Sequence, residues 1–263
     1  MQQDAMNGKP LAKKRDTIGP RFLNNPFFKA IDSLFIGALD VVKQANLTEK
    51  IVYPNYLNAD TFWHGFMDAL FEFEIHGSEH VPKDGMGGVV CVNHTSFLDQ
   101  FIMGVAVAHE TRRVIHIMGK QEIFNTPLAN AYFRWIYGFP IKRGTHDIES
   151  YNYALNLLKD GELIGMFPEA TLNEGGKKFL KAKTGAIRLA IEAQVPLIPL
   201  STSGADKIIG KDLKNFSLSQ KLVAKFGEPI TVHEKYYGKT PSYEQLQDVA
   251  AHLMQRIGKL VIV

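Results

Sequence analysis

Apolar and polar residues along this chain follow two different patterns. Short, mostly apolar runs predict strands, and longer stretches in which apolar residues recur every three or four positions predict helices between them. The predicted strands are 71–77, 89–92, 114–118, 139–142, 163–167, 197–201 and 222–226. Because strands that alternate with helices are typical of one layered sheet, we expect an α/β fold with a single sheet of about seven strands flanked by helices.

The polar and apolar pattern also divides the chain into three parts. Residues 1–25 are polar and include a basic cluster at 13–15, which is typical of a mobile tail. Residues 26–70 predict two amphipathic helices, and we expect this segment to associate with a membrane. Residues 71–263 contain all the predicted strands and are expected to form the α/β domain.

The first predicted helix follows Pro26 and carries a stripe of apolar side chains. An amphipathic helix behind a basic tail is typical of a membrane interface, but packing of the stripe against the protein's own core explains the pattern equally well. The second predicted helix runs from a possible cap at Asp60 to Leu70. The stripe of the first helix consists of Phe27, Ile31, Leu34, Phe35, Ala38, Val41 and Val42.

Composition and charge narrow the possible functions. The 263 residues are 45% hydrophobic and carry a net charge of +3, which is too small to indicate nucleic-acid binding and is compatible with an anionic lipid surface. No stretch reaches the roughly 18 uninterrupted apolar residues of a spanning helix, and the amino terminus lacks the apolar core of a signal peptide. We therefore expect a cytoplasmic protein which, if its substrate is a lipid, lies peripherally on the cytoplasmic face of a membrane.

The clearest chemical signal is His94, which follows the predicted strand 89–92, with Asp99 five residues later at the start of a predicted helix. A carboxylate beside a histidine fixes the tautomer and stabilises the imidazolium, so the pair is a candidate general base. The alternative is structural, because Ser96 and Asp99 also fit a helix capping box. The other histidines lack the short recurring spacings of zinc ligands, and we expect no metal site.

Four short blocks in a fixed order accompany this pair. They are the H-x-x-x-x-D pattern within 93–99, GFPIKRG at 138–144, MFPEAT at 166–171 and VPLIPLS at 195–201. Together they resemble the blocks of the glycerolipid acyltransferases, the family that contains the 1-acylglycerol-3-phosphate (lysophosphatidic acid) acyltransferases. The resemblance covers roughly residues 71–229. It implies transfer of a fatty acyl group from coenzyme A or acyl carrier protein, as a co-substrate, to a glycerolipid hydroxyl, with the motif histidine as base and no other cofactor.

The third block departs from the family pattern F-P-E-G-T-R, because Ala170 and Leu172 replace its glycine and arginine. The family's arginine is assigned to the acceptor phosphate, so its absence leaves the acceptor open. The remaining candidates for substrate binding are Lys120, Arg143, Glu169, Thr171 and Lys183, with Lys177, Lys178 and Lys181 nearby.

Each of these residues also has a structural interpretation. Lys120 follows a predicted strand, where a lysine is usually solvated, and Glu169 either orients a substrate group or a cation or is a surface carboxylate. Arg143 is favoured over Lys142 because strand alternation would send the two side chains to opposite faces. Lysine point charges hold phosphate without the bidentate grip of arginine. The polar loop 173–183 is expected to be a mobile substrate lid.

The resemblance favours acylation of lysophosphatidic acid, giving phosphatidic acid in phospholipid biosynthesis. The expected partners are a lysophospholipid, an acyl thioester, a membrane surface and, as a possible donor, acyl carrier protein. Three alternatives stay open: acylation of another lysophospholipid or of glycerol 3-phosphate, thioester hydrolysis, and a non-catalytic lipid-binding role.

Overall fold

The protein is described by a computed structural model over residues 26–45, 47–125, 129–145, 147–173, 179–208 and 221–262. Its centre is a seven-stranded sheet, which confirms the expected α/β fold. In chain order the strands are β1 (Phe73–His76), β2 (Gly88–Val92), β3 (Ile115–Lys120), β4 (Phe139–Ile141), β5 (Leu163–Met166), β6 (Leu197–Ser203) and β7 (Leu222–Phe226). Their spatial order is β1-β7-β6-β2-β5-β3-β4.

All neighbouring strands run parallel except β6 and β7, which are antiparallel. Parallel strands bring their carboxyl ends to one edge of a sheet, and loops at that edge are the usual place for ligands in α/β proteins. The first and third motif blocks follow the carboxyl ends of β2 and β5, which are direct neighbours. The sheet therefore brings together blocks that are far apart in the sequence.

Helices cover both faces of the sheet. They are α1 (Pro26–Gln44), α2 (Thr48–Phe71), α3 (Asp99–Thr111), α4 (Gln121–Phe124), α5 (Ala129–Trp135), α6 (Ile148–Lys159), α7 (Gly185–Ala193), α8 (Ala205–Ile208) and α9 (Tyr243–Gly258). Short 3₁₀ turns occur at Ser78–His80 and Glu234–Tyr236. The last helix begins at a capping box formed by Ser242 and Gln245, which satisfies free amides at its first turn.

The central strand β2 explains why two separate cores exist. All five of its residues are buried, and successive side chains point to opposite faces. Val89 and Cys91 join the core formed with α6, α7 and α9, whereas Val90 and Val92 join the core formed with α2 and α3. Cys91 is thus a small buried hydrophobe, and burial raises the pKa of its thiol.

The second helix begins earlier than its sequence pattern predicts. Asp60 does not cap it, because α2 starts at Thr48 and contains Pro54 in its interior. A proline costs a helix one hydrogen bond, but burial of Val52 and Leu57 on the inner side of this helix offsets that loss. Asp60 lies well inside α2 and is only 5% exposed.

The apolar stripe of α1 is largely uncovered. Leu34, Phe35 and Val41 are 72%, 49% and 64% exposed, so packing of the stripe against the protein's own core is the wrong explanation for these three residues. Among the described side chains of this helix, the buried one is Leu39, which lies outside the predicted stripe. None of the described helices is both long and apolar enough to cross a bilayer. The predicted basic tail at 1–25 lies outside the described residues.

Candidate active site

His94 and Asp99 meet at the carboxyl edge of the sheet. The imidazole Nδ1 of His94 lies 3.2 Å from Oδ2 of Asp99. The carboxylate is fully buried, whereas 15% of the histidine side chain is exposed. With Nδ1–H donating to the carboxylate, Nε2 is the ring nitrogen left to accept a proton. The sequence spacing therefore predicts a real contact, and the general-base role stays a prediction.

Asp99 also holds the turn that carries His94. The backbone amides of Thr95 and Ser96 each donate to Oδ2 of Asp99 at 2.7 Å. The carboxylate half of the expected capping box is present, since Asp99 accepts the amide of Ser96, although α3 begins at Asp99 and Leu98 is its cap residue. The structural and chemical interpretations of Asp99 thus apply together, since one carboxylate oxygen serves both the turn and the imidazole.

Two residues that the sequence did not single out complete this arrangement. Thr202 donates its hydroxyl to Oδ1 of Asp99 at 2.7 Å. The side chain of Asn93 bonds both backbone groups of Thr202, accepting from its amide at 2.9 Å and donating to its carbonyl at 3.0 Å. The available signals were weak: Asn93 adjoins the motif histidine, and Thr202 comes directly after the fourth block.

Glu169 is buried, not a surface carboxylate, with 2% exposure. It accepts hydrogen bonds from the backbone amide of His94 at 3.1 Å, the side-chain amide of Asn173 at 3.0 Å and the backbone amide of Leu180 at 2.8 Å. No cation is among the hydrogen-bond partners of Glu169 within the described ranges. Glu169 therefore ties the histidine turn to both ends of the loop that follows the third block.

Arg143 reaches the third block from the turn after β4. Its guanidinium donates to the carbonyl of Ala170. Ala170 has a φ of +59°, in the left-handed region that favours glycine. This backbone conformation gives a physical reason why the family pattern has a glycine at that position.

A cavity of about 500 Å³ lies beside these groups. Among the described residues, three cationic side chains line it, namely Lys142, Arg143 and Lys183, above an apolar floor that includes Met118 and Met166. Lys142 and Arg143 line the same cavity, so the argument that strand alternation separates them is wrong. The reason is that β4 ends at Ile141, and both residues lie in the following turn.

The cavity adjoins the histidine and continues along α7. Phe167 lines it, and the centroid of the Phe167 ring lies 4.1 Å from that of His94. A second space of about 560 Å³ shares the apolar floor and adds Ile148, Tyr151 and Leu189. The two together form a groove with Lys142, Arg143 and Lys183 around its first part and mostly apolar walls, while Asp147 and Arg188 also line the second part.

The structure does not bring every candidate to this groove. Lys120 and Thr171 are exposed and do not line it, whereas Lys183 does. Lys177 and Lys178 belong to the part of the predicted lid, residues 174–178, that lies outside the described residues. Within the described ranges, no group of three or more histidine, cysteine, aspartate or glutamate side chains is arranged to hold a metal ion.

Comparisons with known proteins identify relatives of this chain. A family model described as Acyltransferase matches residues 72–203. A 1-acyl-sn-glycerol-3-phosphate acyltransferase of Bacillus subtilis (strain 168) is 29% identical over 187 residues, which are 71% of this chain and 87% of that protein. The 1-acyl-sn-glycerol-3-phosphate acyltransferase alpha of Mus musculus is 30% identical over 189 residues, which are 70% of this chain and 62% of the mouse protein.

A solved structure supports the fold independently. The crystal structure of the 1-acyl-sn-glycerophosphate (LPA) acyltransferase PlsC from Thermotoga maritima superposes with a TM-score of 0.62, covering 91% of this chain and 92% of that one, at 21% identity. The likeness at this identity concerns the fold. Because the family model spans about half of the chain, including His94, Asp99, Arg143 and Glu169, the chain belongs to the acyltransferase family and is of the 1-acylglycerol-3-phosphate acyltransferase-like kind.

Proposed function

We propose that this acyltransferase of phospholipid synthesis transfers a fatty acyl group from a thioester to the free hydroxyl of lysophosphatidic acid, giving phosphatidic acid. The observation that carries the proposal is the His94–Asp99 contact of 3.2 Å next to a groove that combines a cluster of three cations with largely apolar walls. Lysophosphatidic acid has the same two chemical parts, a phosphate and an acyl chain. The donor in this proposal is acyl-coenzyme A or acyl carrier protein, acting as a co-substrate without a further cofactor.

The proposed chemistry begins with Nε2 of His94. It accepts the proton of the acceptor hydroxyl while the hydroxyl oxygen attacks the thioester carbonyl carbon. The resulting tetrahedral intermediate collapses and its carbon–sulfur bond breaks. The imidazolium gives its proton to the departing sulfur, which leaves as a free thiol. Asp99 stabilises the imidazolium, and no serine nucleophile is needed because the substrate supplies the attacking oxygen.

The acceptor phosphate is proposed to bind among Lys142, Arg143 and Lys183. Arg143 is held in place by the carbonyl of Ala170, so its guanidinium is partly preorganised. Leu172 stands where the family has an arginine, and these three cations carry the phosphate contact in its place. Glu169 acts through the backbone of His94, while Lys120 and Thr171 have no assigned contact in this proposal.

The membrane side of the proposal rests on α1 and α2. Exposed apolar side chains occur on both helices, including Leu34 and Val41 on α1 and Phe62 at 64% exposure on α2. Asp32 fixes α1 to the α/β domain by accepting the backbone amide of Ala131 at 3.0 Å. These helices are proposed to lie in the interface of the cytoplasmic leaflet, where amphipathic helices bury their apolar faces.

A second acceptor is favoured by one observation. The loss of the family arginine at Leu172 removes a bidentate phosphate ligand, so a different lysophospholipid or glycerol 3-phosphate is the main competing acceptor. Glycerol 3-phosphate would leave the apolar length of the groove unfilled by an acceptor chain. Lysophosphatidic acid therefore remains the preferred substrate.

The test is thiol release from palmitoyl- or oleoyl-coenzyme A by the purified protein and its His94→Ala variant. Each is assayed with lysophosphatidic acid, with other lysophospholipids, with glycerol 3-phosphate and without acceptor. Release that depends on lysophosphatidic acid and on His94 is the expected result. Thiol release without acceptor would indicate thioester hydrolysis in place of acyl transfer. No thiol release with any acceptor, from either coenzyme A or carrier-protein thioesters, would favour a lipid-binding role.

A further inference from the structure

The two oxygens of Asp99 have different partners. Oδ2 receives the imidazole of His94 at 3.2 Å together with two closer backbone amides, those of Thr95 and Ser96. Oδ1 receives the hydroxyl of Thr202 at 2.7 Å. The two amides and the imidazole all meet one oxygen, Oδ2, so Thr202 is the partner that holds the other oxygen. The contact to Oδ1 is the one that sets the plane of the carboxylate.

Thr202 is itself held firmly at the end of the sheet. The pairing of β2 with β6 ends at Val92 and Leu200. Beyond that point the side chain of Asn93 takes over, bonding both the amide and the carbonyl of Thr202. Asn93, Thr202 and Asp99 are each no more than 2% exposed, so water does not compete for these hydrogen bonds.

These contacts form a closed ring. It runs from His94 to Asp99, from Asp99 to Thr202, from Thr202 to Asn93, and back to His94 through the peptide bond. The imidazole and the residue that positions its carboxylate therefore share one rigid frame. A small displacement of a general base costs a large part of its effect, so such a frame has a direct use in the proposed reaction.

We infer that Thr202 is a positioning residue, whose hydroxyl turns Asp99 so that the second carboxylate oxygen faces His94; this inference rests on the proposed acyl transfer. Thr202 touches no reacting atom in this scheme. Its effect passes through Asp99 to the orientation of the base. The inference predicts that the hydroxyl affects the chemical step and leaves substrate binding almost unchanged.

The neighbouring Ser201 provides a matched control. It lies in the same strand, is fully buried, and its hydroxyl has no hydrogen-bond partner among the described residues. Removal of that hydroxyl therefore breaks no contact to Asp99. A Ser201→Ala variant measures what a buried hydroxyl deletion in β6 does without the proposed positioning.

The experiment compares kcat and KM of the wild type with those of Thr202→Val, Thr202→Ser, Ser201→Ala and His94→Ala. Thr202→Val should lower kcat about 10- to 100-fold, the range typical of residues that orient a catalytic group, with KM for donor and acceptor within about two-fold. Thr202→Ser should restore most of kcat, because it restores the hydroxyl. Ser201→Ala should match the wild type.

Several results would overturn the inference. The positioning role is removed, while acyl transfer stands, if Thr202→Val keeps the wild-type kcat. The same holds if Ser201→Ala lowers kcat as much as Thr202→Val does, or if Thr202→Ser does not restore kcat. A crystal structure of Thr202→Val, or of Thr202→Ala if valine does not fold, in which the plane of the Asp99 carboxylate is unchanged removes it whatever the activity. A wild type that is inactive with every acceptor would instead refute the proposed function, and the inference with it.

Discussion

The backbone amide of His94 donates to Oε1 of Glu169 across 75 residues of sequence, at a distance of 3.1 Å. This bond connects the first and third blocks through the main chain of the histidine. The same carboxylate also holds Leu180, on the far side of the loop that follows the third block. Glu169 therefore couples the position of the base to the loop beside the substrate groove.

Replacement of Glu169 by alanine should damage both stability and activity. It leaves the amides of His94 and Leu180 and the side chain of Asn173 without their acceptor in a buried site. We expect a loss of about 2–4 kcal/mol in the free energy of unfolding, measured in urea, together with most of the activity. Glu79→Ala, which removes a 73% exposed side chain, is the control and should change neither quantity. Equal stability of the two variants would contradict this role of Glu169.

Replacement of Ala170 by glycine should stabilise the protein. The residue has a φ of +59°, where a side chain costs about 1–2 kcal/mol and glycine does not. Part of the gain is lost because glycine makes the unfolded chain more flexible, so we expect a net increase of about 0.5–1 kcal/mol in urea unfolding. Ala193→Gly in α7 should have the opposite sign. Destabilisation by both changes would show that the backbone at Ala170 is not strained.

Arg143 is predicted to act on the acceptor more than on the donor. An Arg143→Gln variant loses one of the three cations around the proposed phosphate site. We expect KM for lysophosphatidic acid to rise by about ten-fold or more, with KM for acyl-coenzyme A nearly unchanged. Arg256→Gln removes a cation from α9, where it pairs with Glu228 outside the groove, and serves as the control. A rise confined to the donor KM would move the phosphate site elsewhere.

Asp60 makes stability depend on pH. Burial raises the pKa of this carboxyl to about 6 from its ordinary 3.8, although the charges of His109 and Arg112 act in the opposite direction. Both its oxygens lack a hydrogen bond within the described residues, and Nδ1 of His109 is 3.8 Å away. In the folded protein the carboxyl of Asp60 keeps its proton up to about pH 6, whereas in the unfolded chain the same carboxyl releases it near pH 4. The free energy of unfolding should therefore fall between about pH 4 and 6 and change no further above that through this group.

An Asp60→Asn variant tests this pH dependence. It cannot lose a proton, so it should be more stable than the wild type at pH 7.5, by about 1–3 kcal/mol, and the difference should shrink at pH 4.5. Urea unfolding at both pH values measures it. Asp68→Asn changes an exposed carboxylate on the same helix and should show little effect. A gain that is equal at both pH values would rule out titration of Asp60 as the cause.

Membrane attachment through α1 can be tested without disturbing the fold. Leu34→Glu and Val41→Glu alter side chains that are 72% and 64% exposed, so stability should stay within about 0.5 kcal/mol. The affinity for vesicles that contain anionic lipid, measured by co-sedimentation, should fall by about ten-fold for each change, since each removes a leucine- or valine-sized apolar contact. Ser33→Asp adds a charge at an exposed polar position of α1 and is the control. Unchanged sedimentation of both glutamate variants would place the membrane contact elsewhere.

Local patterns in the sequence were enough for the sheet and for the His94–Asp99 pair. The strands are short buried runs, and the pair is five residues apart across one turn, so the sequence signal for each is local. The contact of Thr202 with Asp99 spans 103 residues and depends on β6 lying beside β2, which no local pattern reports. The start of α2 was missed for a related reason, because tertiary burial of Val52 and Leu57 supports the helix around Pro54.

The pairing of β1 has a consequence for how the protein is made. This strand lies at the edge of the sheet, and its neighbour there is β7, so Phe73 meets Leu222 about 150 residues later in the chain. A ribosome has therefore released all four motif blocks before β1 finds its place. The N-terminal helices do not depend on this pairing, since α2 packs against α3 and Asp32 of α1 is bonded to Ala131 of α5. We expect nascent chains that end before β7 to fail to protect β1 from proteolysis.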